Sequence, residues 1–437
     1  MTKKKSIVFV VISSKRVAEV WLQTGAMDRL CKEYNTHFII HPSATHELPP
    51  NSQKIELTSQ KVSWLSFIDT QFWLHSLYVL YRKKDYDESQ SFKFMNSSRV
   101  SKWVHRWLSL RPFAFIIKFL DRSIFFRGNK KASALFQDYQ PICVICPGSA
   151  LDSYSHQIMR SATRQKIKTA MMVTHWDFFS KKGLLRASPD KVYVWGKNML
   201  NQAVVQHGLD RDMISIIGTP HFEKYASISL LDKESSKKVM GLKDSYTFFL
   251  FAGVGLPYDE VALLDELNQY ILKKKWTNIK IIYRRHPNAW GRSGKDASDV
   301  LNMESIIFDK ETSQDNQQHY IDLLSAVDGV ISPFSTMMLE AAVAGKPSLA
   351  IGFSDELNEF DFSQAKAFGH ISPVVNDCWL SPCFEKTKFI SMFNDFVSKN
   401  LSQSLMEGNR ASVNSTVYMD DNSYADRLYK QIQSDFN

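Results

Sequence analysis

The sequence has 437 residues, of which 44% are hydrophobic and 23% are charged, a balance typical of globular proteins. A chain of this length exceeds the size at which one hydrophobic core stops growing, so it predicts two domains. The net charge of +9 favours anionic surfaces or phosphorylated substrates, but no nucleic-acid-binding motif accompanies it, so nucleic acid is not expected as a partner.

No stretch of the sequence contains the ~20 apolar residues that a membrane-spanning helix needs. The apolar run at residues 7–12 is shorter than the core of a signal peptide, and no small-residue cleavage site follows it. This run therefore predicts a first β-strand, and we expect a cytoplasmic location.

The five cysteines are odd in number and sparse, which argues against a disulfide framework. Cys143 and Cys146 form a C-x-x-C pair inside an apolar, strand-like run, without a second Cys or His pair at zinc spacing. We expect buried core thiols rather than redox or zinc chemistry. No metal and no cofactor are expected.

The first half of the chain alternates between strand and helix patterns. Residues 6–40 predict a strand, a helix and a second strand, which is how a parallel sheet with covering helices begins. The alternation resumes after residue 135, with predicted strands at 142–147, 168–174, 191–196 and 214–218.

Residues 60–135 have a different character, because aromatic and basic residues are interleaved there. The aromatic residues include Trp103, Trp107, Phe113, Phe115, Phe119, Phe125 and Phe126, and the basic ones include Lys102, Arg106, Arg111, Lys118, Arg122 and Arg127. Basic, aromatic-rich helices are typical of a membrane interface. Aromatic core residues beside a solvated basic face would give the same pattern, and both interpretations stay open.

The second half repeats the α/β pattern after a polar stretch, 220–243, that predicts the crossing between two domains. Strands are predicted at 246–253, 279–287, 305–309, 329–333 and 347–352, and residues 389–435 are predicted to be mostly helical. We expect an α/β fold of two Rossmann-like domains, 1–220 and 221–410, with residues 411–437 packing back on the first. Such a pair predicts a cleft between the domains, at the carboxyl ends of the strands.

Basic side chains follow one of these strands directly. Arg284, Arg285 and His286 come at the end of the strand predicted at 279–287, where doubly wound folds place ligands. Guanidinium and imidazole groups can pair with phosphate oxygens. The alternative is a surface turn that is basic by chance.

A second predicted anion site lies in the stretch 332–347. Ser335 and Thr336 fall where a strand ends and a helix begins, so free N–H groups, the helix dipole and two hydroxyls would meet there. An ordinary helix cap would use the same residues. Glu340 lies one turn further, within reach of a ribose hydroxyl, and Gly345 and Lys346 predict the helix end.

Two glycines lie at and just beyond the end of the strand predicted at 246–253. Gly253 and Gly255 would let a backbone approach a phosphate closely. Asp259 and Glu260, just beyond, predict a solvated helix start.

Together these elements resemble the donor half of GT-B glycosyltransferases. The strand followed by His286-Pro287 and the Ser335-Thr336 element are similar to the pair that binds the cytidine nucleotide phosphate in bacterial sialyltransferases, and Kdo and CDP-glycerol transferases have similar elements. The stretch 189–222 also resembles GT-B enzymes of bacterial surface-polysaccharide loci. The resemblance covers residues 170–355 best. It implies an acceptor-side first domain, a nucleotide-sugar-binding second domain and metal-independent transfer.

The sequence departs from both subfamilies in its first half. It lacks the acidic-acidic-Gly motif of the sialyltransferases, and Thr174-His175-Trp176-Asp177 stands where the CDP-glycerol group has a His-Gly pair. Asp177 and His175 follow a predicted strand, and a transferase needs a base or a carboxylate nucleophile. We therefore expect them to be catalytic, with a polar loop anchored by Trp176 as the alternative.

The leading hypothesis is a transferase that extends a bacterial surface polysaccharide, such as lipopolysaccharide or capsule, or a lipid-linked glycan, from a CMP-sugar such as CMP-Kdo. A UDP-sugar or CDP-glycerol donor, a non-hydrolysing nucleotide-sugar epimerase and a non-catalytic GT-B assembly module are the alternatives. The expected partners are a nucleotide-sugar donor, a glycan acceptor and, peripherally, the inner face of the cytoplasmic membrane.

Overall fold

The computed structural model describes residues 5–44, 46–58, 103, 107, 128–148, 152–181, 185, 188–254, 259–286, 297–311, 316–354, 362–400 and 412–436. The chain forms two compact units. The first comprises Met1–His221, Phe368–His370 and Ser415–Asn437, and the second comprises Phe222–Ala367 and Ile371–Asn414.

The first unit is built on a seven-stranded parallel sheet. Its strands are β1 (Ile7–Ile12), β2 (Asn35–Ile40), β3 (Gln53–Glu56), β4 (Cys143–Gly148), β5 (Lys168–Val173), β6 (Lys191–Val194) and β7 (Ile214–Ile216). They lie in the order β3-β2-β1-β4-β5-β6-β7. The apolar run predicted as the first strand is therefore β1, near the middle of the sheet, where both faces are buried.

Helices cover this sheet. They are α1 (Lys15–Trp21), α2 (Asp28–Glu33), α3 (Lys130–Tyr139), α4 (Ser153–Arg164), α5 (Phe178–Lys181), α6 (Lys197–Val205) and, from the C-terminal end of the chain, α13 (Tyr424–Phe436). Tyr424, Leu428 and Ile432 recur every four residues along α13, and this apolar face joins the core formed by β1, β2 and β4.

The C-x-x-C pair lies within β4. Both thiols are fully buried, and burial raises the pKa of Cys143 and of Cys146 above the ordinary value. Residues three apart on an extended strand point to opposite faces of the sheet, so the two sulfur atoms do not share a site. The prediction of buried core thiols is confirmed.

The second unit has a six-stranded parallel sheet. Its strands are β8 (Thr247–Ala252), β9 (Ile279–Arg284), β10 (Ile306–Phe308), β11 (Gly329–Pro333), β12 (Ser348–Ile351) and β13 (Leu380–Cys383), in the order β10-β9-β8-β11-β12-β13. Its helices are α7 (Glu223–Ala226), α8 (Lys233–Val239), α9 (Glu260–Lys273), α10 (Gln317–Ala326), α11 (Thr336–Val343) and α12 (Phe389–Asn400). Phenylalanines of β8 and α12 and leucines of α9 form one core on a face of this sheet.

Short 3-10 helices complete the described part of the chain. They lie at Arg211–Met213, Pro220–Phe222, Ser227–Leu230, Ala297–Asn302, Phe362–Ala367 and Lys386–Lys388. The polar stretch 220–243, predicted as a crossing, contains α7 and α8, and both helices belong to the second unit. None of the described helices has the length and apolar character that crossing a membrane requires.

Candidate functional site

The carboxyl ends of three neighbouring strands in the second sheet bring most of the predicted phosphate-binding residues together. β9, β8 and β11 lie side by side in that order and run parallel. The residues that directly follow β8, β9 and β11 include Gly253, Arg285, His286, Ser335 and Thr336. The strand order reverses between β8 and β11, and doubly wound sheets bind ligands outside the strand ends at such a switch point.

Helix α11 begins at this switch point. Ser335 is its N-cap residue and has an extended backbone, and within the described residues its side chain makes no capping hydrogen bond. The Ser335 hydroxyl lies 3.2 Å from that of Ser332, and Ser335 and Thr336 are both half-buried. The N–H groups of the first turn and the positive end of the helix dipole favour an anion here.

The two consecutive arginines have different surroundings. Arg284 is nearly buried, its Nη1 lies 2.6 Å from Oδ2 of Asp309, and it also donates to the Glu311 carbonyl. His319 reaches the other oxygen of Asp309 at 2.9 Å. Arg284 therefore holds the loop after β10. Arg285, which follows the strand end, is half-buried with His286 and is the better placed of the two for a phosphate.

Glu260 is not a solvated residue, and that expectation is wrong. Its side chain is buried and folds back from the start of α9 to accept hydrogen bonds from the Val254 N–H at 2.8 Å and the Tyr283 hydroxyl at 2.7 Å. Burial raises the pKa of its carboxyl group, while the hydrogen bonds and the charge of Arg285 act in the opposite direction. A buried carboxylate thus lies beside the candidate anion site.

The same carboxylate accounts for Gly253. A Cβ atom at this position would lie 2.5 Å from Oε2 of Glu260. The Gly253 N–H donates to the Arg284 carbonyl at 2.9 Å, so this amide serves the sheet. Gly253 is needed for packing against Glu260, and its contact with a phosphate stays a prediction.

Glu340 belongs to a buried polar group that we call the Tyr320 cluster, formed by Lys224, Tyr225, Arg284, Tyr320 and Glu340. The Tyr320 hydroxyl donates to Oε2 of Glu340 at 3.0 Å, and the Arg284 guanidinium lies 5.4 Å from the Tyr320 ring centroid. Burial lowers the pKa of Lys224, and the charge of Glu340 partly restores it. Glu340 is therefore held in place by its neighbours, and a contact with a ribose stays a prediction.

In the first unit, the loop after β5 carries the two predicted catalytic residues. Thr174 directly follows β5, and its hydroxyl donates to the Gly148 carbonyl at the end of β4 at 3.0 Å. His175 and Asp177 are half-buried, and Trp176 between them is buried. The loop is thus tied to neighbouring strand ends and presents a carboxylate and an imidazole two residues apart.

A segment distant in sequence supports this loop, and nothing in the linear sequence indicated it. Phe368–His370 belongs to the first unit. Nδ1 of His370 lies 2.8 Å from the buried hydroxyl of Ser180, and the His370 ring packs edge-on against Trp176 with centroids 5.0 Å apart. His370 therefore contacts Trp176 and Ser180, which lie before and after Asp177 in the sequence.

Two predicted features lie largely outside the described residues. Gly255 is outside them, as is the basic, aromatic stretch of the first unit except for Trp103, Trp107 and residues from 128 onward. Trp103 and Trp107 are helical and exposed by 63% and 53%.

No protein-family model and no curated protein matches the sequence. Solved structures do. The chain is similar to a glycosyltransferase from Rickettsia africae ESF-5, with 10% identity over 99% of this chain and 98% of that chain and a TM-score of 0.56. It is similar to UDP-GlcNAc 2-epimerase from Neisseria meningitidis bound to UDP-GlcNAc, with 13% identity over 97% and 100% of the chains and a TM-score of 0.54. It is also similar to the wall teichoic acid polymerase TagF, with 10% identity over 99% and 90% and a TM-score of 0.52.

At these identities the similarity shows the fold. The chain has two parallel-stranded, Rossmann-like sheets of the GT-B type, as the sequence predicted. This fold is found in glycosyltransferases and in UDP-GlcNAc 2-epimerases.

Proposed function

We propose that the protein is a glycosyltransferase that moves a sugar from a nucleotide-activated donor to a growing bacterial surface polysaccharide or lipid-linked glycan. The observation that carries the proposal is the anion site at the switch point of the second sheet. There, the N-terminus of α11 with Ser335 and Thr336 lies two strands from the strand end that bears Arg285 and His286.

This site suits the departure of a nucleotide. When the bond to the sugar breaks, negative charge develops on the leaving phosphate, and donors fixed before the reaction stabilise that charge most effectively. Arg285, His286 and the first turn of α11 supply these donors without a metal ion. Arg284 is assigned to supporting the loop after β10, because Asp309 and Glu311 already engage it.

The chemistry at the sugar is assigned to the loop after β5. A base must take the proton of the acceptor hydroxyl, or a carboxylate must attack the anomeric carbon. Asp177 provides the carboxylate for either role, and His175 is the alternative base. Buried contacts among Trp176, Ser180 and His370 hold this loop. They restrict the positions that the Asp177 carboxylate can take.

We favour a CMP-activated sugar such as Kdo as the donor, because the strand-end and Ser335-Thr336 elements resemble those of CMP-sugar transferases. UDP-sugars and CDP-glycerol are the alternatives within the same fold. A lipid-linked acceptor would place the protein peripherally at the inner face of the cytoplasmic membrane.

A nucleotide-sugar epimerase is the second candidate, since UDP-GlcNAc 2-epimerases share the fold. The two activities differ in whether free nucleotide is released. A transferase releases free nucleotide only when an acceptor is present, whereas an epimerase converts the donor without an acceptor. A non-catalytic assembly module would bind a donor and turn over none.

The decisive experiment begins with a thermal-shift panel of CMP, CDP, UDP, GDP and their sugars. A ligand that binds only the native state raises its stability, so the stabilising nucleotide identifies the donor class. Calorimetry of that nucleotide with Arg285→Ala then tests the site. Loss of a charge-assisted hydrogen bond of ~1.5 to 3 kcal/mol should weaken binding about tenfold to a hundredfold.

Lys273→Ala is the matched control, because it removes an exposed positive charge from α9 in the same unit. It should leave nucleotide affinity unchanged. Equal affinities in wild type and Arg285→Ala would place the phosphate elsewhere.

A further inference from the structure

Glu260 brings a negative charge to the end of the middle strand of the candidate anion site. Its carboxylate is buried and accepts a hydrogen bond at 2.8 Å from the N–H of Val254, two residues beyond β8. β8 lies between β9 and β11, and neighbouring strands are about 4.8 Å apart. The carboxylate is therefore flanked by the strand end that bears Arg285 and by the one that leads into α11.

The helices that follow β8 and β11 differ in the charges at their N-termini. At α9, the Asp259 side chain caps the Ala262 N–H at 3.0 Å, and Glu260 lies in the first turn. At α11, the first turn contains no acidic residue, and the N-cap residue is Ser335. Carboxylates thus offset the positive end of the α9 dipole, whereas the positive end of the α11 dipole is left for an anion.

The charges of Arg285 and Glu260 act on the same group of side chains. Burial raises the pKa of Glu260, and its hydrogen bonds and the charge of Arg285 act in the opposite direction. Burial and the Glu260 carboxylate raise the pKa of Tyr283, and Arg285 again opposes the change. The Glu260 carboxylate therefore offsets part of the positive charge that Arg285 presents to a ligand.

This balance of charges suits one phosphate group better than two. Arg285 contributes one positive charge, the α11 dipole contributes about half of one, and ionised Glu260 contributes one negative charge. The phosphate diester of a nucleoside monophosphate sugar carries one negative charge, whereas the diphosphate of a nucleoside diphosphate sugar carries two. A second phosphate group would therefore bring its charge to a site that already holds a carboxylate.

We propose that Glu260 is a specificity-determining residue that rejects a second phosphate group at this site. A binding site gains selectivity when it places a like charge against the wrong ligand, even if the right ligand gains no new contact. This role rests on the proposed donor site. It goes beyond that proposal by selecting donors through their number of phosphate groups, independently of the base and the sugar.

Calorimetry with CMP, CDP, UMP, UDP, GMP and GDP, at mildly alkaline pH, measures the effect of the second phosphate on three bases. We expect wild type to bind each monophosphate at least as tightly as its diphosphate, although a purely basic site would favour the more highly charged ligand. Glu260→Gln keeps the size of the side chain and removes its charge. The affinity for diphosphate relative to monophosphate should then rise about tenfold, an effect of about 1.4 kcal/mol.

Two matched variants separate the charge of Glu260 from its packing. Tyr283→Phe removes the 2.7 Å hydrogen bond to the carboxylate and leaves the carboxylate in place. Asp265→Asn removes an exposed carboxylate further along α9. Neither variant should raise the relative affinity for diphosphates. The thermal midpoint of each variant shows whether it is folded.

Two results would overturn this role of Glu260. One is tighter binding of the diphosphates than of the monophosphates by wild type, a result that counts even if Glu260→Gln does not fold. The other is an unchanged ratio of the two affinities in folded Glu260→Gln. If none of the six nucleotides binds, the donor site is refuted and the role of Glu260 with it. Binding with an unchanged ratio refutes the role of Glu260 alone, so the two failures are distinguishable.

Discussion

At the scale of single residues, Glu260 links the packing of the second unit to its candidate anion site. Its carboxylate occupies the space beside Gly253 and binds the Val254 N–H and the Tyr283 hydroxyl. Gly253→Ala would place a methyl group 2.5 Å from that carboxylate. Overpacking of this kind costs about 1 to 3 kcal/mol, so we expect the free energy of unfolding, measured in urea, to fall by this amount.

A double-mutant cycle separates this cause from a general effect of alanine at position 253. In a Glu260→Ala background the crowding disappears, so Gly253→Ala should cost much less there than in wild type. An equal cost in both backgrounds would show that Glu260 is not the reason for the glycine.

Four residues show why part of the candidate site could be proposed from the sequence and part could not. Arg285 and Ser335 were recognisable because a polar side chain directly after an apolar strand run is a local pattern. Glu260 lies in the first turn of α9, where an acidic residue is usually solvated. Its inward position depends on a hydrogen bond from Tyr283 of β9, which is distant in the sequence. His370 is 190 residues from its partner Ser180, so no window of sequence contains both.

At the scale of elements, most strands were predictable because their β-branched and aromatic runs are buried, whereas β3, which is largely exposed, and β13 were missed. The run predicted at 246–253 is β8, with five of its six residues buried. Helix α8 was missed because its inward-facing residues are polar. Ser236 and Lys237 are buried there; Ser236 donates to Ser325, and Lys237 donates to the carbonyls of Asp244 and Tyr246. No apolar periodicity marks such a helix.

The carboxyl end of α10 shows a second use of a buried lysine. Gly345, just after α11, has the left-handed backbone (φ 77°) of a residue that ends a helix, as predicted. Lys346 does more than stop a helix. Its Nζ donates to the carbonyls of Ser325 and Val327 at 3.0 and 2.8 Å, and burial, together with nearby lysines, lowers its pKa to about 8.

This arrangement predicts a pH dependence of stability. The pKa of Lys346 is about 8 in the folded state, against an ordinary value of 10.5, so the unfolded chain binds more protons between these values and stability rises with pH there. In Lys346→Met that contribution is absent. The difference in the free energy of unfolding, wild type minus variant, should increase from pH ~8 to ~10.5 and decrease as pH falls back through this window.

Urea unfolding of both proteins at several pH values measures this difference. Lys273→Met, at an exposed position on α9, controls for the loss of a surface lysine and should run parallel to wild type. Parallel curves for wild type and Lys346→Met would contradict a lowered pKa at this position.

At the scale of the whole molecule, the two-domain α/β fold followed from two successive series of alternating strands and helices. One passage of the chain between the units did not. Besides the boundary after His221, Phe368–His370 joins the first unit within the sequence of the second. This excursion leaves no compositional mark, because three residues are too few to form a periodic pattern.

The division into two units allows donor binding and catalysis to be tested separately. Arg285 lies in the second unit, and Asp177 lies in the first. If the second unit binds the donor and the loop after β5 performs the chemistry, then Asp177→Asn should retain donor affinity and lose turnover. The substitution keeps the size of the side chain and removes its charge, and loss of general-base help alone costs about 10² to 10⁴ in rate.

Transfer rate and donor affinity must be measured on the same folded protein. Asp212→Asn, which changes an exposed aspartate of the first unit, should leave both quantities unchanged, and Arg285→Ala should weaken donor affinity. Normal turnover in Asp177→Asn would exclude Asp177 as base and nucleophile. His175→Ala would then decide the matter: loss of turnover with intact donor binding would make His175 the base, and normal turnover would move the chemistry away from this loop altogether.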